Sequence, residues 1–167
     1  MPTLANMVDH PNPTQRSGFL YSFTPKHHGA DKGASCWLPR SPLEREFAIF
    51  DEADLHEIAD DAGNYYGFSR SEDGGLLQLG LWFEQLAEFP FQDPEARWHG
   101  YPSYPLKGIG PENRRGDKCK PAKEVFEKMY RGMLISAQER KRLSKGITYE
   151  PTRNYNRDHR FWHPDNV

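Results

Sequence analysis

The alternation of apolar and polar positions predicts a β-hairpin in the middle of the chain. Residues 64–70 and 76–83 are two apolar-rich segments, and Leu77, Leu79 and Leu81 fall on one face of the second. Residues 71–75 between them end in two glycines, which suit a turn that needs positive φ angles. We therefore expect an antiparallel hairpin over about 64–83. Shorter patterns predict further strands at 18–24 and 47–50.

Helical periodicity predicts three short helices. The first is expected over 52–62, with Asp51 or Asp54 as its cap and a following glycine as its stop. The second spans 121–131, where apolar residues recur on one stripe. The third spans 137–145 and opens with a capping box formed by Ser136 and Glu139. The last two elements together form a helical hairpin over 121–145.

These elements define the expected fold class, which is α+β. We expect a small antiparallel sheet with three or so short helices, in a loop-rich chain that contains 14 Gly and 14 Pro. Residues 1–17 are interpreted as an N-terminal arm, 18–146 as a single domain and 147–167 as a C-terminal tail.

Composition changes this picture in one respect, the nature of the core. The chain has ten Phe, eight Tyr and four Trp, but few Val and Ile. Disordered chains are poor in aromatic residues, so we expect a folded domain packed around rings. No apolar stretch is long enough to cross a membrane, and the N-terminus lacks a secretory signal pattern. With only two cysteines, neither a disulfide framework nor a zinc knuckle is expected. We expect a cytoplasmic location instead.

The charge of the chain is divided along its length. Residues 1–105 carry seven basic and 16 acidic side chains, a net charge of −9, whereas residues 106–167 carry 15 basic and eight acidic ones, a net charge of +7. The overall charge of −2 conceals this division. It predicts an acidic face and a basic face, although two separately solvated surfaces would give the same pattern.

The helical hairpin is the first candidate binding surface. Its second helix carries four cations that suit phosphates or an acidic protein, namely Arg140, Lys141, Arg142 and Lys145. A true helix-turn-helix reader would need polar side chains that contact base edges at its exposed N-terminus, and these are missing. Cations near a helix C-terminus also interact favourably with the helix dipole, so a merely solvated hairpin is the alternative.

Residues 97–107 form the second candidate site. Here His99 is a candidate general base with Arg97, Tyr101 and Lys107 as helpers, which would suit a hydrolase or nuclease. Trp98 and Tyr104 could instead stack on a partner or on nucleobases. The alternative interpretation is that these rings fix a surface loop onto the sheet.

Two further groups of side chains are weaker candidates for a functional site. His27 and His28, with Cys36 nearby, lack the spacing of metal ligands, and we predict no metal and no cofactor. On the expected first helix, carboxylates at Asp54 and Glu57 would share one face with a third, Asp61. A solvated face is the simpler interpretation of that group.

The sequence contains no P-loop, dinucleotide-binding fingerprint, GxSxG, HExxH or kinase signature. We therefore expect a small cytoplasmic interaction or regulatory module, of the kind found in immunity or antitoxin proteins. Its basic helical hairpin and acidic N-terminal face would contact a protein or nucleic-acid partner, without a membrane. The alternative is a metal-independent hydrolase or nuclease centred on residues 97–104.

Overall fold

The structure of the protein is a computed structural model that describes residues 8–23, 37–38, 41–72, 74–80, 84–93, 95–103 and 121–145. Several sequence predictions fall outside these residues. They concern Lys107 and Tyr104, the loop that contains His27 and His28, and the tail 147–167.

The described chain is α+β, as predicted, with three helices and a three-stranded antiparallel sheet. In chain order the elements are β1 (Val8–Asp9), β2 (Ser22–Phe23), α1 (Leu43–Leu55), β3 (Tyr65–Gly67), β4 (Leu86–Phe89), β5 (Tyr101–Ser103), α2 (Lys123–Arg131) and α3 (Ala137–Ser144). Strands β1 and β2 pair with each other, and β4 lies between β3 and β5. None of the described helices is long and apolar enough to cross a membrane.

The three-stranded sheet lies between two hydrophobic clusters. Residues that face each other across antiparallel strands point to the same side, so Tyr65 and Phe89 share one face while Tyr66 and Glu88 share the other. The first face packs with α1 against an aromatic cluster. The second face packs with α2 and α3 against a more aliphatic cluster.

The first cluster is the ring-rich core that the composition predicts. Phe50 of α1 lies at its centre, with ring centroids 4.9 Å from Phe89, 5.1 Å from Tyr21 and 5.4 Å from Trp98. These centroid distances lie within the 4.5–7 Å range of favourable aromatic pairs. The cluster connects β2, α1, β4 and the segment before β5.

The second cluster confirms the two predicted helices of the hairpin. In α2, Val125, Phe126 and Met129 are fully buried, as their spacing predicts. The capping box of α3 is present, since the Ser136 hydroxyl accepts a hydrogen bond from the Glu139 N–H and the Glu139 carboxylate accepts one from the Ser136 N–H.

The predictions for the first helix and for the strand at 47–50 were wrong. Residues 43–55 form one helix, which buries Ile49, Phe50 and Ala53 at helical spacing. A four-residue apolar run is compatible with either a strand or a helix, and here packing against β3 favours the helix. Glu57, at a left-handed φ of 53°, lies beyond the end of α1, so it does not share a helical face with Asp54. Asp54 is instead buried and accepts hydrogen bonds from the Ser17 N–H and hydroxyl.

The predicted hairpin is correct only at its turn. An antiparallel bridge joins Arg70 to Leu76, so the chain does reverse at 71–75. Beyond the turn, the Leu79 N–H donates a hydrogen bond to the carbonyl of Glu84 at 2.7 Å, so these two residues lie side by side. The strand that pairs with β3 is β4, rather than the described residues 76–80. Both segments are buried, Leu76, Leu77 and Leu79 as well as Leu86, Ala87 and Phe89 of β4, so the apolar pattern of either one suits a strand beside β3.

Candidate functional site

Trp98, a candidate partner-binding residue, is part of the core. Its side chain is 2 % exposed, and its ring contacts Phe19 at a centroid distance of 5.0 Å. Its backbone N–H donates to the carbonyl of Leu20, and its carbonyl accepts from the Ser22 N–H, both at 2.8 Å. The ring therefore fixes this segment onto the domain and is not accessible to a partner.

Two described members of the candidate catalytic group, Arg97 and Tyr101, bind different carboxylates. The Arg97 guanidinium donates to Asp9 at 2.8 Å, and this hydrogen bond raises the pKa of Arg97 above its ordinary value. Tyr101 hydrogen-bonds to Glu88 on the sheet. His99 lies between them in sequence, is partly exposed and has contacts of its own. Arg97 and Tyr101 are thus engaged by separate carboxylates, and the hydrolase alternative stays a prediction.

A row of polar side chains across the sheet was missed by the sequence analysis. Tyr66, Glu88 and Tyr101 lie opposite one another on the three strands, and the Ser103 hydroxyl donates to Glu88 at 3.3 Å. Burial raises the pKa of Glu88, although hydrogen bonds from Tyr101, Ser103 and Tyr66 partly offset it. Only the strand register brings these residues together, and the alternation of Leu86 and Glu88 was the one available signal.

No metal centre is found in the described part of the chain, where no three His, Cys, Asp or Glu side chains are grouped to hold an ion. The histidine pair at 27–28 and Cys36 lie outside that part.

The four cations predicted to form the hairpin surface fall into two groups. Arg140 lies 4.1 Å from the ring centroid of Tyr130 and forms an ion pair with Glu127 at 3.3 Å, and Arg142 is half-buried with contacts of its own. Lys141 and Lys145, by contrast, are exposed and form no ion pair with any described residue. They lie one helical turn apart on the outer side of α3 and its C-terminus.

The hairpin is fixed to the rest of the domain by Arg70. Its guanidinium forms two hydrogen bonds with the Glu139 carboxylate, both 2.9 Å, and donates to the carbonyl of Leu134 at 2.6 Å. The burial of Glu139 would by itself raise its pKa, but the hydrogen bonds from Arg70 and Ser136 together lower it. The tip of the hairpin is thereby held in one position relative to the sheet.

Met133 at that tip is the most exposed large hydrophobic side chain among the described residues, at 91 %. It has a left-handed φ of 58°, a conformation that is unfavourable for residues other than glycine. Tyr130 and Arg131 are exposed beside it. The helix α2 ends at Gly132, which has an ordinary φ of −75°, and the left-handed conformation falls on the methionine that follows it.

The fold and these surfaces define a small α+β domain with a firmly attached, cationic helical hairpin. Comparison of the chain with protein-family models, with curated proteins and with solved structures found no match. Function must therefore be argued from the chemistry of the described residues.

Proposed function

We propose that the protein is an interaction module that binds a negatively charged macromolecular partner through the outer face of the helical hairpin. The observation that carries this proposal is the exposed pair Lys141 and Lys145, which no described residue neutralises. Like charges at i and i+4 destabilise a helix by roughly 0.2–0.5 kcal/mol. A negatively charged partner would replace this repulsion with attraction.

The scaffold below the pair supports the proposal. The opposite side of the hairpin is buried, and the Arg70–Glu139 ion pair holds it against the sheet. A partner would therefore meet cations on a preorganised surface, which reduces the entropy lost on binding. The acidic excess of residues 1–105 would repel such a partner elsewhere and so direct it to the hairpin.

The exposed tip favours a protein over a nucleic acid as the partner. Met133 and Tyr130 add an exposed apolar surface to the same helical hairpin, and methionine adapts to irregular protein surfaces. At the start of α3 the exposed residues are Ala137 and Gln138, a poor set for reading base edges. We therefore propose an acidic protein segment that also carries apolar side chains.

Binding of defined polyanions tests the proposal. The probes are fluorescein-labelled polyglutamate, a labelled acidic peptide that alternates Glu with Leu, single-stranded RNA and duplex DNA, each followed by fluorescence anisotropy at low and moderate salt. The test variant is Lys141→Gln with Lys145→Gln. The matched control, Ala62→Glu with Gln92→Glu, changes the net charge equally at positions outside the hairpin.

The Glu–Leu peptide should bind the wild type more tightly than polyglutamate does, and salt should weaken both. The hairpin variant should lose roughly two- to thirtyfold in affinity, because it removes two exposed ion pairs that contribute about 0.2–1 kcal/mol each. The control variant should bind like the wild type. Equal binding by the hairpin and control variants, or no binding of any probe, would refute the proposal. Tighter binding of RNA or DNA would assign the surface to nucleic acid instead.

A further inference from the structure

A pocket of about 370 Å³ lies between residues 10–15 and α1. Its size is within the range of small-ligand sites. It is on the acidic part of the chain and shares no lining residue with the helical hairpin. The candidate catalytic group of residues 97–107 also contributes no described residue to its lining.

One face of α1 forms the floor of the pocket. Glu44, Phe47, Ala48 and Asp51 all line it, and their spacing of i, i+3, i+4 and i+7 places them on one side of the helix. Ala48 has a small side chain and leaves space between the two carboxylates. The pocket therefore contains the ring of Phe47 between two carboxylates, which lie two helical turns apart on the same face of α1.

Rings from three parts of the chain meet in this pocket. The ring of His10 is edge-on to Phe47 at a centroid distance of 4.2 Å, and the ring of Tyr21 is edge-on to Phe47 at 5.3 Å. Phe50 also lines the pocket. The faces of aromatic rings carry partial negative charge, which attracts cations.

Carboxylates are the acidic groups of the pocket, and the His10 imidazole is its only basic group among the described lining residues. The described residues that line it include two carboxylates and no lysine or arginine. Neither Glu44 nor Asp51 forms an ion pair with a described residue. Asp51 accepts a hydrogen bond from the Gln15 N–H at 3.0 Å through Oδ1 alone, so Oδ2 has no described donor.

We propose that this pocket binds an organic cation, that is, an alkylammonium or guanidinium group. The aromatic walls would contact the alkyl or planar part of the cation, and Glu44 and Asp51 would neutralise its charge from either side. The inference is independent of the function proposed for the hairpin, because it concerns a different surface and a ligand of the opposite charge.

Titration with small cations followed by NMR tests the proposal. The probes are N-acetyl-arginine amide, tetramethylammonium and, as the neutral control, N-acetyl-norleucine amide. The two cations distinguish a guanidinium from a quaternary ammonium ligand. Saturable shifts should appear at the backbone amides of Thr14 and Gln15, and the neutral compound should bind at least about fivefold more weakly, since a cation–aromatic contact contributes roughly 1 kcal/mol or more when desolvated.

Two variants locate the site. Glu44→Gln with Asp51→Asn keeps both side-chain shapes and an oxygen for the Gln15 N–H, and it should weaken cation binding about tenfold, as expected for two partly exposed charge contacts. The matched control, Asp61→Asn with Glu95→Gln, makes the same charge change at exposed positions outside the pocket and should leave affinity unchanged. Ala48→Leu should fill the pocket and abolish binding.

Circular dichroism and the melting temperature establish that each variant is folded. Ala48 is exposed, so its substitution does not disturb the core. Equal affinity for the neutral compound would show that charge is not recognised. Unchanged cation binding by the Ala48→Leu variant would place the ligand elsewhere. Either result, or the absence of saturable shifts with both cations, would overturn the proposal.

Discussion

The ion pair between Arg70 and Glu139 allows a quantitative test of how the hairpin is attached. Breaking a buried pair by removing one partner costs about 3–5 kcal/mol, whereas an exposed pair contributes about 0.2–1 kcal/mol. The Arg70 side chain is 34 % exposed and that of Glu139 only 9 %, so this pair lies between the two cases. We expect either Arg70→Met or Glu139→Gln to lower the free energy of unfolding by about 2 kcal/mol.

A double-mutant cycle measures the interaction itself. Urea unfolding of the wild type, both single variants and the double variant should give a coupling energy of about 1.5 kcal/mol. Glutamine retains the oxygen that accepts the Ser136 N–H, so the capping box should survive the substitution. Glu127→Gln is the control, because the Arg140–Glu127 pair is single, longer at 3.3 Å and partly exposed on both sides. Its loss should cost less than about 1 kcal/mol.

The same pair predicts a dependence on pH. Because the folded state lowers the pKa of Glu139 below its ordinary value of 4.5, the carboxylate stabilises the fold at neutral pH. This contribution is lost as the pH falls below 4.5 and through the lower folded-state pKa. The stability difference between wild type and Glu139→Gln should therefore shrink in acid. A coupling energy below about 0.5 kcal/mol, or a difference that persists at low pH, would refute this account of the attachment.

Three further substitutions have defined outcomes. Gly67→Ala should destabilise the domain by about 1–3 kcal/mol in urea unfolding. The Cβ atom of the new alanine would lie 2.6 Å from Cγ2 and 2.9 Å from the carbonyl oxygen of Ile49. An unchanged urea midpoint would contradict this contact. Trp98→Ala should cost about 3–5 kcal/mol, whereas a cost below about 1 kcal/mol would contradict its burial. Met133→Gly should raise the free energy of unfolding by up to about 1 kcal/mol, because glycine adopts the left-handed φ without strain. The same substitution should weaken binding of the Glu–Leu peptide. A loss of stability or unchanged binding would contradict the role proposed for the tip.

The sequence alone was sufficient for the helical hairpin and for the α+β class. The burial stripe of α2 and the capping box of Ser136 and Glu139 depend on residues within a few positions of each other. The sequence also identified the cations of α3, but it could not show which of them contact other side chains of the domain and which do not. That separation depends on Tyr130 and Glu127, which reach Arg140 only because the two helices pack together.

Tertiary structure decided the pairing of the sheet and the location of both candidate binding surfaces. Nothing local distinguishes residues 76–83 from β4 as the partner of β3, because the described leucines of both segments are buried in the same two clusters. Only the packing of the whole domain pairs β4 with β3. The pocket requires His10, Tyr21 and Phe47 to meet from distant parts of the chain. Aromatic side chains were evident from the composition, but long-range packing determines whether each ring is enclosed, like Trp98, or lines a pocket, like Phe47.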